Sequence, residues 1–154
     1  MADPTHDKLQ ALGWSNSISV QLEAIHAIAE DDTIDPALLL QDNIPKECWG
    51  NASIIFAKWG LPRIDAIIPG LFKWLQDTTW PGAMEILVLL FNLPKGKTKK
   101  ALQDAMAEAK RTNDEEWLHN LEDFANRGEY ELGVREYIKK VRAMTAEYFG
   151  GIYP

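Results

Sequence analysis

Few residues of this chain have the types and spacing that metal or thiol chemistry requires. The three histidines, His6, His26 and His119, lie in different segments, and none has a second ligand at metal-binding spacing. The single cysteine, Cys48, has no vicinal thiol and cannot form an internal disulfide bond. The sequence therefore predicts no metal site and no cofactor.

The string Gly96-Lys97-Thr98 resembles the end of a phosphate-binding loop, but the glycine that opens such a loop is missing. We expect residues 94–98 to form a turn between two helices, with Thr98 as the N-cap of the second helix. The sequence also lacks the glycine patterns of nucleotide-binding enzymes and of serine hydrolases.

Three pairs of adjacent acids could act as general acid and base only in an apolar cleft that raises the pKa of one carboxyl group. Positions at helix starts predict instead that their carboxylates face solvent. We therefore expect no catalytic residue and no enzymatic activity. The pairs are Asp31-Asp32, Glu115-Glu116 and Glu122-Asp123.

Acidic residues are concentrated near the N-terminus. The net charge is -7 over 154 residues, and residues 1–43, with eight acids and one base, account for all of that excess. A negative chain repels the phosphates of nucleic acids and attracts basic proteins, so a basic protein partner is expected. The candidate contact residues come from this region and from a second acidic cluster. They are Asp31, Asp32, Asp35, Asp114, Glu115 and Glu116.

Nothing in the sequence indicates a membrane protein. No apolar run approaches the roughly 18 residues that a membrane span needs, and the first residues lack the basic and apolar regions of a signal peptide. A single cysteine also fits a reducing compartment. We expect a cytoplasmic protein without membrane contact.

Apolar residues recur at spacings of three and four through most of the chain, which predicts helices. We predict an all-α protein forming a single domain, residues 1–154, with eight helices in four hairpin-like pairs. The fourth helix is expected to be interrupted at Pro69-Gly70. The apolar positions of these helices span residues 18–29, 36–40, 49–59, 64–75, 84–91, 101–109, 117–124 and 134–148, and Pro81 is expected in the first turn of the fifth helix. Their expected N-caps include Ser17, Asp35, Thr79, Thr98 and Asp114.

An internal repeat organises these helices. Residues 49–56 align with residues 80–87, so that Trp, Ala, Ile and an apolar residue coincide in register. A repeat with a period of 31 to 37 residues predicts a short HEAT-like α-solenoid of about four helix pairs, with tryptophans filling the seams between pairs. An irregular helical bundle is the alternative. The tryptophans that define the period, 35, 31 and 37 residues apart, are Trp14, Trp49, Trp80 and Trp117.

Residues 71–81, Leu-Phe-Lys-Trp-Leu-Gln-Asp-Thr-Thr-Trp-Pro, resemble the motif L-L-x-W-L-Q-D-x-N-W-P of a bacterial domain family of unknown function. Ile44-Pro45-Lys46 and residues 113–117 resemble its opening and late motifs, so the resemblance covers residues 43–124. Thr79 replaces the asparagine of the motif. The resemblance implies HEAT-type helical repeats and no enzymatic residues, and some members resemble immunity proteins that accompany bacterial toxins.

The residues of this motif form the strongest local pattern in the chain, and we expect their role to be structural. Trp74 and Trp80 are predicted to be buried in adjoining helix layers. Asp77 or Thr79 is predicted to accept hydrogen bonds from the first N–H groups of the following helix. Asp77→Ala should then lower stability and leave partner binding intact. The motif residues are Trp74, Gln76, Asp77, Trp80 and Pro81.

The sequence thus predicts a non-enzymatic module that binds a basic protein, and an immunity protein that neutralises a toxin is the specific hypothesis. A general interaction scaffold is one alternative. A helical-repeat protein that binds or repairs nucleic acid is another, supported only by the lysines of residues 95–100 and Arg111. The net negative charge disfavours this last alternative.

Overall fold

The computed structural model describes residues 4–126, and this part of the chain is all-helical, as predicted. The predicted helix at residues 134–148 lies outside the described residues. Short 3-10 turns occupy residues 36–39, 41–43, 46–48, 65–67 and 73–76. The α-helices are α1 (Pro4–Gln10), α2 (Ile18–Ala29), α3 (Trp49–Trp59), α4 (Ile68–Phe72), α5 (Ala83–Asn92), α6 (Lys95–Arg111) and α7 (Glu115–Ala125).

Three predicted caps are confirmed. Ser17 Oγ accepts a hydrogen bond from the Val20 N–H at 3.3 Å, at the start of α2. Asp35 Oδ1 accepts one from the Ala37 N–H at 3.0 Å, and Asp114 Oδ1 accepts one from the Trp117 N–H at 3.0 Å. Each side chain satisfies a donor that the first turn of its helix leaves free.

Two other predicted caps are wrong. Thr98 lies inside the first turn of α6, which already begins at Lys95, and its hydroxyl donates to the Lys95 carbonyl at 3.3 Å. Residues 94–98 are therefore not a free turn, because the helix starts directly after Pro94. Thr79 lies in a turn before α5, and the cap of that helix is Gly82, which has no side chain to accept a hydrogen bond.

Two predicted helices are shorter than expected. The segment after Asp35 makes only a 3-10 turn, residues 36–39, before Leu40 becomes extended. The segment 64–75 divides into a 3-10 turn, α4 and a second 3-10 turn. Pro69 lies in the first turn of α4, where its missing N–H costs no hydrogen bond, so the predicted interruption falls just before it.

The helices pack in chain order around one apolar core. α1 packs on α2, α2 packs on α3, and α3 packs on α5. Further along, α4 packs on α6, and α7 packs on α6 and on residues 73–76. Packing between neighbours along the chain is compatible with the predicted solenoid.

The buried faces follow the helical spacing. In α7, Trp117, Leu121 and Phe124 are buried at intervals of four and three residues. The Trp117 indole N–H donates to the Phe72 carbonyl at 3.0 Å, and the Phe72 and Phe124 rings meet edge to face with centroids 5.2 Å apart. Burial of each large apolar side chain of this kind contributes about 1.5–3 kcal/mol. Between residues 4 and 126, no helix combines the length and apolar character of a membrane span.

Candidate functional site

The motif segment, residues 71–81, contacts both α3 and α5 where these two helices pack together. Trp74 is completely buried, and its indole N–H donates to the Pro81 carbonyl at 2.9 Å, which links the two ends of the segment. The Trp49 ring meets Trp74 and Trp80 edge to face, with centroids 6.3 and 5.4 Å away. Trp80 is only half-buried and packs against the edge of the core, so the expectation that it is buried like Trp74 is wrong. Gln76 is also half-buried. This geometry favours a structural role for the motif.

Asp77 stabilises the turn that precedes α5 and does not cap the helix. Its Oδ1 accepts hydrogen bonds from the Thr79 hydroxyl at 2.5 Å and from the Thr79 N–H at 2.8 Å. These two bonds hold the pKa of the Asp77 carboxyl below its ordinary value. The expectation that Asp77 or Thr79 accepts from the first N–H groups of α5 is wrong, because Pro81 and Gly82 delay the start of that helix to Ala83.

The first acidic group, Asp31, Asp32 and Asp35, follows α2 directly. Asp31 is already engaged, since the Thr33 hydroxyl and N–H donate to it at 2.6 and 2.9 Å and the Lys8 ammonium lies 3.2 Å away. These contacts, the Thr33 bonds first, lower the pKa of Asp31 to about 2. Asp35 is an N-cap, and Asp32 is exposed.

The second acidic group lies on a different connection, between α6 and α7. Asp114 is the N-cap of α7, whereas Glu115 and Glu116 are exposed in the first turn of that helix. Carboxylates are favourable there, because the N-terminal end of a helix dipole is positive. The first group lies between α2 and the 3-10 turn of residues 36–39, which both pack on α3. The second group lies at the start of α7, which packs on residues 73–76. The structure therefore places the six predicted contact residues in two separate patches and gives three of them structural partners.

Three large apolar side chains that precede the first acidic group in sequence are exposed. Trp14, Ile18 and Val20 are 59%, 68% and 39% exposed, and the last two lie two residues apart on α2, on different sides of that helix. The prediction that the repeated tryptophans fill the seams is wrong for Trp14. Trp49 and Trp117 lie in the first turns of helices, but Trp14 lies in the loop between α1 and α2, so no helix turns its side chain toward the core.

The loop that carries this tryptophan, residues 11–17, is held by hydrogen bonds; we call it the Trp14 loop. The Trp14 N–H donates to the Glu47 carbonyl at 3.2 Å, and the Ser15 hydroxyl donates to Glu47 Oε2 at 2.7 Å. The Asn16 side-chain amide donates to the Gln10 carbonyl at 3.0 Å. The Asn51 side-chain amide donates to the Leu12 carbonyl at 2.7 Å. The loop therefore exposes an indole on a fixed backbone.

The residues with intrinsic chemical reactivity do not form a site in the described part of the chain. The Cys48 thiol is buried and lies 3.5 Å from the Leu9 carbonyl, and burial raises its pKa to about 11. His119 is exposed and lies 3.4 Å from Asp123, one turn later on α7. Over residues 4–126, no three histidine, cysteine or acidic side chains come together in a group that could hold a metal ion.

Comparison with known families gives one match. The family model of a domain of unknown function, DUF5071, covers residues 56–146, which is more than half of the chain. The chain belongs to the DUF5071 family. No curated protein and no solved structure gives a significant match. Because the function of DUF5071 is unknown, membership assigns no activity to any residue.

The DUF5071 match and the expected resemblance overlap but have different limits. Residues 71–81 and 113–117 lie inside the matched range, whereas Ile44-Pro45-Lys46 lies before it. The match also continues past residue 124, where the resemblance was expected to end. Trp14, Ile18 and Val20 lie outside the match, as does α1, which the apolar spacing did not predict. The string Gly13-Trp14-Ser15-Asn16, rich in turn-forming residues, is the signal that could have indicated an exposed tryptophan.

Proposed function

We propose that this member of the DUF5071 family is a non-enzymatic protein-binding module that holds a basic protein partner with its N-terminal part. One observation carries the proposal. The acids of residues 4–43 other than Asp31 are all exposed, while the nearby cations Lys8 and Arg63 are engaged in internal contacts. The exposed acids are Asp7, Glu23, Glu30, Asp32, Asp35 and Asp42.

The engagement of those cations is specific. Lys8 pairs with Asp31, and the Arg63 guanidinium donates to the carbonyls of Asp31 and Ile34 at 2.6 and 3.1 Å. Arg63 also lies 3.8 Å from the centre of the Trp59 ring. These cations fix the loop after α2, and the exposed carboxylates around it remain available to attract a basic surface. Such attraction accelerates association and weakens as salt is added.

The specific form of the proposal is an immunity protein that folds as a short HEAT-like solenoid. It would neutralise a bacterial toxin in the cytoplasm. The resemblance of residues 71–81 supports this form. The neighbouring reading frame tests it without an experiment on the protein. A large secreted polypeptide with a variable C-terminal domain is expected there, and a neighbourhood without one would leave only the general binding module.

Affinity capture from the native host, with the full chain as bait, tests the binding function. We expect one stoichiometric basic protein, with an association rate that falls as salt is raised. Glu23→Gln/Glu30→Gln/Asp32→Asn should slow association by about tenfold or more at low salt. The matched control changes three exposed acids on α7 and alters the net charge equally. It is Glu115→Gln/Glu116→Gln/Glu122→Gln.

Three results bear on the proposal differently. Recovery of no protein at low salt contradicts the binding function. If a partner is recovered but the triple substitution of N-terminal acids does not change its association rate, the assignment of the interface to the N-terminal part is contradicted. Slower association with the α7 control alone would move the interface to the second acidic group, at residues 114–116.

A further inference from the structure

We infer that the exposed face of α6 binds a second copy of this chain, through the acids Glu23 and Glu30 of that copy. The inference rests on the proposed function, because these acids belong to the surface proposed to attract the basic partner. It adds a regulation of that surface: α6 of a second copy covers the acids until the basic partner displaces it. We call the face of α6 the α6 basic stripe; its residues are Lys95, Lys99, Gln103, Ala107 and Lys110.

The α6 basic stripe is one continuous surface. Its residues follow one another along α6 at intervals of three or four positions, so each side chain is a surface neighbour of the next. All of them are exposed and none is acidic. At the rise of an α-helix, the stripe extends over about 22 Å, which is long enough to lie along another helix.

Within residues 4–126, no ion pair engages the three lysines of the stripe. The acids of α6, Asp104 and Glu108, lie four residues apart on another side of the helix and pair with Lys100 and Arg111. Lys97 lies on that same side and pairs with an acid outside α6. The positive charge of the stripe is therefore not compensated by the described part of its own chain.

The acidic counterpart lies on α2. Glu23 and Glu30 are seven residues apart, which is about two helix turns, so they lie on the same side of α2 and its C-cap. Both are exposed, and residues 9–45 contain no lysine or arginine. The two helices thus carry rows of opposite charge, and opposite charges that face each other fix the pairing of two surfaces.

Local helix stability does not account for these charges. Lys95 lies in the first turn of α6, and Glu30 directly follows the last residue of α2. A helix dipole favours acids at its N-terminal end and bases at its C-terminal end, so each of these side chains lies at the end that disfavours it. Contact between the two surfaces in different copies offsets both unfavourable charges.

Other anionic partners fit the stripe less well. Asp114, Glu115 and Glu116 come four to six residues after Lys110 and would repel a phosphate backbone that continues past the end of α6. The stripe contains no large apolar side chain that could enter a lipid surface. A second copy also carries a net charge of -7, but at physiological salt that repulsion is screened beyond about 8 Å, whereas charges in contact still attract.

Sedimentation equilibrium of the full chain, at an ionic strength of about 0.1 M, tests the inference. We expect the average mass to rise with concentration. Lys95→Glu/Lys99→Glu and Glu23→Lys/Glu30→Lys should each weaken self-association by about tenfold or more, because like charges then face each other. The variant that combines all four reversals has the net charge of the wild type and should self-associate again, since opposite charges face each other once more.

The matched control is Lys46→Glu/Lys58→Glu. It reverses two exposed lysines outside α6, changes the net charge as much as Lys95→Glu/Lys99→Glu does, and should leave self-association unchanged. Because the reversed charges at positions 95 and 30 agree with the helix dipoles, the urea midpoints should not fall. If a midpoint falls, Lys95→Gln/Lys99→Gln replaces the reversal in α6.

The outcomes separate this inference from the proposed function. A wild type that stays monomeric overturns the inference, and the proposed function stands if association of the basic partner still depends on the N-terminal acids. Self-association that no basic partner reverses contradicts the regulation. Failure of the fourfold variant to self-associate contradicts the pairing of α6 with α2. A gel shift of duplex DNA by a monomeric wild type, lost in Lys95→Glu/Lys99→Glu, would make nucleic acid the occupant of the stripe.

Discussion

Substitution of Gly82 tests the contact between α3 and α5 most directly. Gly82 precedes α5 with φ +83° and ψ -8°, a left-handed conformation that glycine adopts without strain. A Cβ at this position would lie 2.9 Å from the Trp49 carbonyl oxygen and 3.0 Å from Ser53 Oγ. The Trp49 oxygen belongs to the backbone of α3, so no side-chain rotation can relieve the contact.

The magnitude follows from two costs. An L-residue in the left-handed conformation costs about 1–2 kcal/mol, and forcing an extra methyl group into a packed contact costs about 1–3 kcal/mol. Gly82→Ala should therefore lower the free energy of unfolding by about 2–5 kcal/mol, a large part of the stability of a typical domain.

Gly50→Ala is the matched control, because Gly50 lies in α3 on the same contact. Its Cβ would meet only Pro81 Cβ, at 3.9 Å, which is an ordinary contact distance. Alanine is also the better helix former, so Gly50→Ala should raise the free energy of unfolding by about 0.5–1 kcal/mol. The two substitutions add the same methyl group and should change stability in opposite directions.

Urea unfolding of the full chain, followed by circular dichroism at 222 nm, measures both changes as midpoint shifts at constant slope. A change below about 0.5 kcal/mol in Gly82→Ala would show that α5 does not approach the Trp49 carbonyl in this way. Equal destabilisation by Gly50→Ala would refute the reasoning from backbone conformation, since Gly50 is helical and has space for a Cβ.

Three further predictions use the same titration. Asp114→Ala removes the acceptor of the Trp117 N–H and should lower the free energy of unfolding by about 1 kcal/mol; no change would mean that the cap is dispensable. Asp77→Ala should lower the urea midpoint, because Thr79 loses two hydrogen bonds, and leave partner binding intact; lost binding at an unchanged midpoint would instead assign Asp77 to the interface. The pKa of Asp31 is lowered from 3.8 to about 2, so its ionised form stabilises the fold above about pH 4 and this contribution is lost as the pH falls toward 2. Stability should therefore decline less steeply over that range in Asp31→Ala than in the wild type, and equal slopes would contradict the lowered pKa.

Local signals in the sequence were sufficient to predict most elements. Ser17, Asp35 and Asp114 accept hydrogen bonds from residues two or three positions later, so the cap and its partner can be recognised together. The buried face of α7 follows from the apolar spacing within eleven residues. Thr79 and Thr98 failed as predicted caps, because the exact start of α5 depends on Gly82 and that of α6 on Pro94.

The candidate site was predicted only in part. Glu115, Glu116 and Asp32 are exposed, as helix starts and loops suggest, but their distribution over two patches was not predictable from local pattern. The repeat of tryptophans led to the wrong expectation for Trp14, because equal spacing does not place each tryptophan on a helix. Trp74 and Trp14 are the same residue type, yet one is completely buried and the other is 59% exposed.

Short-range patterns along the chain are enough to predict that residues 4–126 are helical, that Ser17, Asp35 and Asp114 cap the turns that follow them, and that residues 1–43 carry the excess negative charge. These properties depend on residues close together along the chain. Which side chains face solvent cannot be predicted in this way, because residues from distant parts of the chain cover them. Glu47 is 32 residues from Ser15, and Trp117 is 45 residues from Phe72, so the contacts that fix the Trp14 loop and bury the core leave no local pattern.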